Sequence, residues 1–135
     1  MNTRHAVPVI VALSCVWTCA HAEDPQKLSK EELQQVIPGS KVNSTSPRGF
    51  AHRWTNDASG EFTANWETPP GQRPFSGNAP GKWMITDDGR YCVEIEWPKL
   101  QQEKWCAAVQ KTGEGKFALV TEGARGIPPQ LEISK

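Results

Sequence analysis

The sequence predicts a mainly β fold: an antiparallel meander of about six strands rolled into a half or closed barrel, with one N-terminal helix and one disulfide. Three observations carry this prediction. Apolar residues alternate with polar ones from Phe50 to Trp66 and again from Gly81 onward, the two-residue period of strands that bury one face. A capping signal, S-x-x-E at Ser29 and Glu32, precedes the first alternation. Cys92 and Cys106 sit where a hairpin would bring them side by side.

The leading segment fixes what belongs to the domain. Arg4 supplies a positive charge, Ala6 to Ala20 is an apolar run, and Ala20-His21-Ala22 is a small-residue cleavage pattern, so residues 1–22 read as a cleaved secretion signal. The run is shorter than the roughly 20 residues of a spanning helix, so no stable membrane span is expected after cleavage. Neither A-L-S-C nor V-W-T-C is a good lipidation box. The domain is then 23–135, with a periplasmic or secreted location.

Cleavage removes one basic residue and no acid, leaving 14 basic against 15 acidic groups. This balance speaks against nucleic-acid binding, which goes with a basic excess, and gives no reason for docking on anionic lipid. The 113 residues left of 135 suit one core. Cys15 and Cys19 leave with the signal, so Cys92 and Cys106 remain as a pair in an oxidising compartment. A metal site fits them poorly: the spacing is not C-x-x-C, and His52 is the one histidine left. No metal and no cofactor is expected.

Within the domain, Ser29 and Glu32 cap a helix over Leu28 to Ile37, with Leu28 and Leu33 at the hydrophobic-staple positions. Leu33, Val36 and Ile37 share a face suited to covering one barrel opening, and Pro38-Gly39 ends the helix. Two strands follow. Phe50, His52 and Trp54 alternate with polar residues, as do Phe62, Ala64 and Trp66; pairing Trp54 with Phe62 would set His52 opposite Ala64. The segment 68–81 holds four prolines and three glycines, the composition of a loop, long enough to be functional. Phe75 within it is a candidate lid residue.

The stretch Gly81 to Cys106 is best read through register. Asp87-Asp88-Gly89 as a three-residue turn with a glycine bulge makes Ile85 face Tyr91 and Trp83 face Val93. A two-residue turn would mix apolar and polar faces, which a one-residue slip always does. Pairing Cys92 with Cys106 then sets Glu94 against Lys104 on one face and Val93 against Trp105 on the other. A further hairpin through Thr112 to Gly115 lets Phe117 and Leu119 meet Val109 and Ala107, and Gln130 to Ile133 reads as a brief edge strand.

The motif G-x-W-x-I-x-x-D-G-x-Y-C from Gly81 to Cys92, followed by Trp97 and Trp105-Cys106, resembles a bacterial domain-of-unknown-function family of small secreted proteins. The likeness extends to the L-S-x-E-E-L helix at Leu28 to Leu33 and covers about Leu28 to Val120. It implies the signal and the paired Y-C and W-C strands, and brings no activity or site to carry over.

Catalytic readings are thin. A triad would have to combine His52 with Ser59 or Ser76 and Asp57 or Asp87, and no G-x-S-x-G elbow marks a nucleophile. Glu94 and Glu96 share a strand face, as a glycosidase pair would, but a charged outer surface explains them better. No catalytic residue is designated. Trp54, Trp66, Trp83, Trp97 and Trp105 fall on one face, either as a filled core or as a partly open aromatic pocket beside His52 and Tyr91. The ligand-binding candidates are His52, Trp54, Trp66, Trp83 and Tyr91. The function expected is a non-enzymatic binding or accessory module for a small apolar or sugar ligand. The alternative is an inhibitor or interaction factor presenting loop 68–81 to a periplasmic protein partner, and a hydrolase using His52 comes last.

Overall fold

A computed structural model describes residues 26–99, 102–121, 126–128 and 130–135; the secretion-signal reading of residues 1–22 lies outside them. Helix α1 spans Lys30–Val36. Its capping box is complete, with the Ser29 hydroxyl accepting from Glu32 N at 3.2 Å and the Ser29 amide donating to Glu32 at 3.1 Å. The helix's own last turn lacks a basic residue. Lys135 supplies one from the far end of the chain, its ammonium donating to the Pro38 and Gln35 carbonyls at 2.5 and 3.2 Å, where orphan carbonyls and the helix dipole favour a cation.

Nine strands follow among the described residues: β1 Lys41–Thr45, β2 Ala51–Thr55, β3 Glu61–Glu67, β4 Ser76–Ile85, β5 Tyr91–Ile95, β6 Glu103–Ala107, β7 Val109–Gly113, β8 Lys116–Leu119 and β9 Gln130–Ser134. They form one antiparallel sheet in the order β6-β5-β4-β3-β2-β1-β9-β8-β7. The outer strands β6 and β7 are consecutive, with Ala108 alone between them, so one bent segment pairs β5 through its first half and β8 through its second. The sheet thereby rolls into a nearly closed barrel. Beside this seam the N-terminal segment lies along β7, with Lys27 bridging to Gln110 and Leu28 N donating to Val109 O at 2.8 Å.

The two barrel ends differ. Leu33 and Ile37 of the helix segment are fully buried on one end, in a core with Val42, Ile95, Val109 and Ile133, and each such side chain contributes about 1.5–3 kcal/mol. The turns 56–60 and 86–90 lie at this helix-covered end, and Lys30 pairs with Asp87 at 2.8 Å there. The connections β1–β2, β3–β4 and β5–β6 lie at the opposite, open end, as the strand directions require.

Register bears out the central stretch. Trp83 faces Val93, Val93 faces Trp105, and Cys92 is bonded to Cys106 on the outer face. The turn at Thr86–Arg90 has the bulge geometry, with Gly89 at φ +80° donating to the Thr86 carbonyl.

Several expectations need correction or refinement. Nine strands lie among the described residues, rather than about six. The loop ends at Phe75, because Ser76 to Gly81 belong to β4. Gly77 and Gly81 are strand residues whose missing Cβ makes room for rings: a Cβ would lie 2.5 Å from Trp66 Nε1 at Gly77 and 2.1 Å from the Phe62 ring at Gly81, the close approach that glycine permits in a strand. Pro80 sits at the end of the β4–β5 ladder, where its carbonyl accepts from Glu96 N. Strands β2 and β3 pair two residues away from the expected register, with His52 opposite Trp66; the shift keeps the same face inward, and Trp54 still stacks on Phe62 at 5.2 Å. The segment 130–134 is an interior strand between β1 and β8 rather than an edge. Glu94 faces Lys104 but accepts its hydrogen bond from Gln102 at 2.8 Å. In the β7–β8 hairpin, Leu119 faces Val109 and Phe117 faces Lys111.

Candidate functional site

Inward-facing residues at the open end build an apolar cavity of about 550 Å³, within the size range of small-molecule sites. Phe50 immediately precedes β2 and His52 lies at its start, Trp66 comes from the end of β3, Gly77 from the start of β4, and Trp97 and Pro98 from the exit of β5. Two aromatic contacts shape the wall: His52 lies 4.7 Å from Trp97, and Phe50 lies 6.1 Å from Trp66. The Trp66 indole lies against Gly77, where only hydrogen fits.

A turn of the same kind as that at Thr86–Arg90 shapes the rim at Ser46–Phe50. Gly49, at φ +86°, donates to the Ser46 carbonyl, and Phe50 N donates to Ser46 Oγ at 3.0 Å. Pro47 occupies the position that a proline's fixed φ favours in such a turn. This carries Arg48 to the cavity mouth, and Lys99, at φ +59°, stands at the same mouth after Pro98.

Buried polar groups near this end are unevenly satisfied. Burial lowers the His52 pKa from its usual value, because the charged ring would lose water. Across the β1–β2 pair His52 faces Ser44, whose buried hydroxyl has no partner among the described residues. Burial also raises the Glu103 pKa; the Trp97 and Trp105 indoles oppose this. The Trp97 N–H reaches bonding geometry, at 3.3 Å, and Trp105 Nε1 is buried without a bonded partner among the described residues.

The five sequence-predicted site residues do not converge. His52 and Trp66 line the cavity. Trp54 and Tyr91 lie at the helix-covered end, where Asn56 Oδ1 accepts from the Tyr91 hydroxyl at 2.7 Å and from Trp54 Nε1 at 3.1 Å. Asn56 Nδ2 donates in turn to Ser40 Oγ at 3.1 Å. This network is internally satisfied and holds the helix end in place. Burial there raises the Tyr91 pKa strongly. Trp83, half-buried, donates to the Asp57 carbonyl at 2.8 Å at that same end. Outside the predicted set the cavity is lined by Ser46, Gly77 and Asn78 as well as Phe50, Trp97, Pro98, Arg48 and Lys99. Phe50 and Trp97 continue the alternation that marked the others, whereas Pro98 and the two cations carry no periodic signal.

The triad partners are likewise scattered. Ser59, Asp57 and Asp87 belong to turns at the helix-covered end, away from His52, whereas Ser76 starts β4 at the open end, exposed and facing Glu67. Phe75 is 57% exposed, with Arg73 over its ring at 5.6 Å, and is not among the cavity residues. A depression of similar volume on the outer face is lined by Glu61, Lys82, Glu94 and Glu96; its charged walls are well solvated and suit an apolar ligand poorly. Among the described residues no helix is long and apolar enough to cross a membrane, and no three His, Cys, Asp or Glu side chains gather as a metal site. Compared with known protein families, curated proteins and solved structures, the chain matches none significantly.

Proposed function

We propose that this protein is a non-enzymatic binding module that holds a small, largely apolar ligand in the open end of its barrel. The observation that carries this reading is the aromatic cavity formed by Phe50, His52, Trp66 and Trp97. Apolar walls favour a ligand through the area it removes from water, and the helix covers the other end of the barrel. The neutral state of His52 favoured by burial keeps that wall apolar.

Titration with the uncharged probe N-phenyl-1-naphthylamine tests the reading. Saturable binding with a change in tryptophan fluorescence is expected, and Phe50→Ala should weaken it roughly tenfold, the scale of removing a large apolar contact, while a cooperative melt is retained. Absence of saturable binding, or full affinity in Phe50→Ala, would overturn it.

We further propose that the protein works in the periplasm or outside a bacterial cell, after removal of residues 1–22. The Cys92–Cys106 disulfide supports an oxidising compartment, and the resemblance of the Y-C and W-C strands to small secreted bacterial proteins agrees with it. N-terminal sequencing of the exported protein should read from Glu23; a first residue upstream of Ala20 would refute the cleavage.

A further inference from the structure

We infer that the ligand is an amphipathic organic anion, held with its apolar body inside the cavity and its anionic head at the mouth between Arg48 and Lys99. This rests on the binding reading above and adds the ligand's charge to it. Among the described residues, those lining the cavity include two cations, Arg48 and Lys99, and no carboxylate. Among the described residues, ion pairs engage Lys30, Arg53, Arg90 and Lys111; Arg48 and Lys99 are in none of them. The hydrogen-bonded Ser46–Phe50 turn fixes the backbone that carries Arg48.

The division of the site is chemical. Deeper in, Phe50, Trp66 and Trp97 offer carbon surface, and burying a charge among them would be costly. At the rim both cations stay in water, where they can meet an anionic head without that penalty. A free amphiphile fits better than a lipid surface, because basic and acidic residues balance over the whole chain at 15 each and a membrane-docking face depends on basic excess. A sugar would want polar partners all along the walls, and Ser46, His52 and Asn78 are few beside Phe50, Trp66, Trp97 and Pro98.

Dodecanoate, dodecanol and dodecyltrimethylammonium, each below its micellar or solubility limit, separate the possibilities by tryptophan fluorescence. Dodecanoate is expected to bind roughly tenfold more tightly than dodecanol, the size of two exposed charge contacts, and the cationic amphiphile most weakly. Added salt should narrow the preference. In the Arg48→Gln, Lys99→Gln double variant the affinity for dodecanoate should fall to that for dodecanol; both side chains are exposed, so folding is not at stake. Equal binding of dodecanoate and dodecanol, or a preference that survives in the double variant, overturns the charge inference and leaves the cavity reading intact. No response to any of the three, together with no response to N-phenyl-1-naphthylamine, overturns both. Retention on phosphatidylglycerol vesicles without binding of free dodecanoate also overturns it, in favour of a surface.

Discussion

The Tyr91 hydroxyl donates to Asn56 Oδ1 at 2.7 Å across 35 residues of sequence, at the barrel end covered by α1. Asn56 is fully buried and also serves Trp54 and Ser40, so Asn56→Ala would strand several desolvated groups at once. A loss of about 3 kcal/mol or more in urea unfolding is expected, against about 1 kcal/mol for Tyr91→Phe. Equal, small losses for both would show that the network is not a unit.

The same residue predicts an alkaline limit. Burial raises the Tyr91 pKa above its unfolded value, so the stability it contributes is full below about pH 10 and drains away as pH rises beyond that. Tyr91 is the chain's one tyrosine, so tyrosinate absorbance reports it alone. Ionisation should coincide with loss of the fold; ionisation of a still-folded chain would contradict the buried phenol.

Two strand glycines, Gly81 in β4 and Gly113 in β7, give a contrast between substitutions. In Gly81→Ala the new Cβ meets the Phe62 ring at 2.1 Å, and displacing a core aromatic costs about 1–3 kcal/mol or more. Gly113→Ala meets only Lys116 Cβ at 3.9 Å and should stay within about 0.5 kcal/mol of the parent. Thermal melts of the two variants decide it, and similar melting temperatures would count against the ring-over-glycine packing.

Ser44 offers a stabilising change. Its hydroxyl is buried and unpartnered among the described residues, so Ser44→Ala removes a desolvation cost of about 1 kcal/mol and should raise the denaturation midpoint. A clear drop would mean that the hydroxyl has a partner in solution, such as an internal water.

His52 sets the response to acid. Its folded pKa is lowered by burial, so its contribution is present above the unfolded value of about 6.5 and is lost as pH falls below that. Glu103, raised by burial, works in the opposite sense: its contribution is full below the unfolded carboxyl value and is lost as pH rises through the folded one. Comparison with His52→Gln isolates the histidine, and the variant should lose less stability between about pH 7.5 and pH 5.5. An NMR titration midpoint for His52 at or above that of free histidine would rule this out.

Local signals were readable wherever they act over a few residues. The capping box at Ser29 and Glu32, the turn at Asp87 to Gly89 and the Cys92–Cys106 pairing all follow from side chains that are neighbours along one turn or one hairpin. The first half of β4 was not readable, since Gly77, Pro80 and Gly81 look like loop residues until Trp66 and Phe62 are placed beside them. The site was half legible for a related reason. Two-residue alternation tells which side chains point inward and says nothing of their height along the barrel axis. His52 and Trp54 therefore look equivalent in sequence, although one lines the open cavity and the other bonds to Asn56 at the covered end. Arg48 and Lys99 lie in connections, where periodicity is silent.

The short strip Lys27–Leu28 has a consequence for behaviour at high concentration. By occupying the backbone groups of Val109 and Gln110, it denies a stretch of the seam to strands of other molecules, and an unguarded edge is a template for intermolecular pairing. The residues that lead into the helix therefore act as a built-in guard against self-association, a task that neither their length nor their composition advertises.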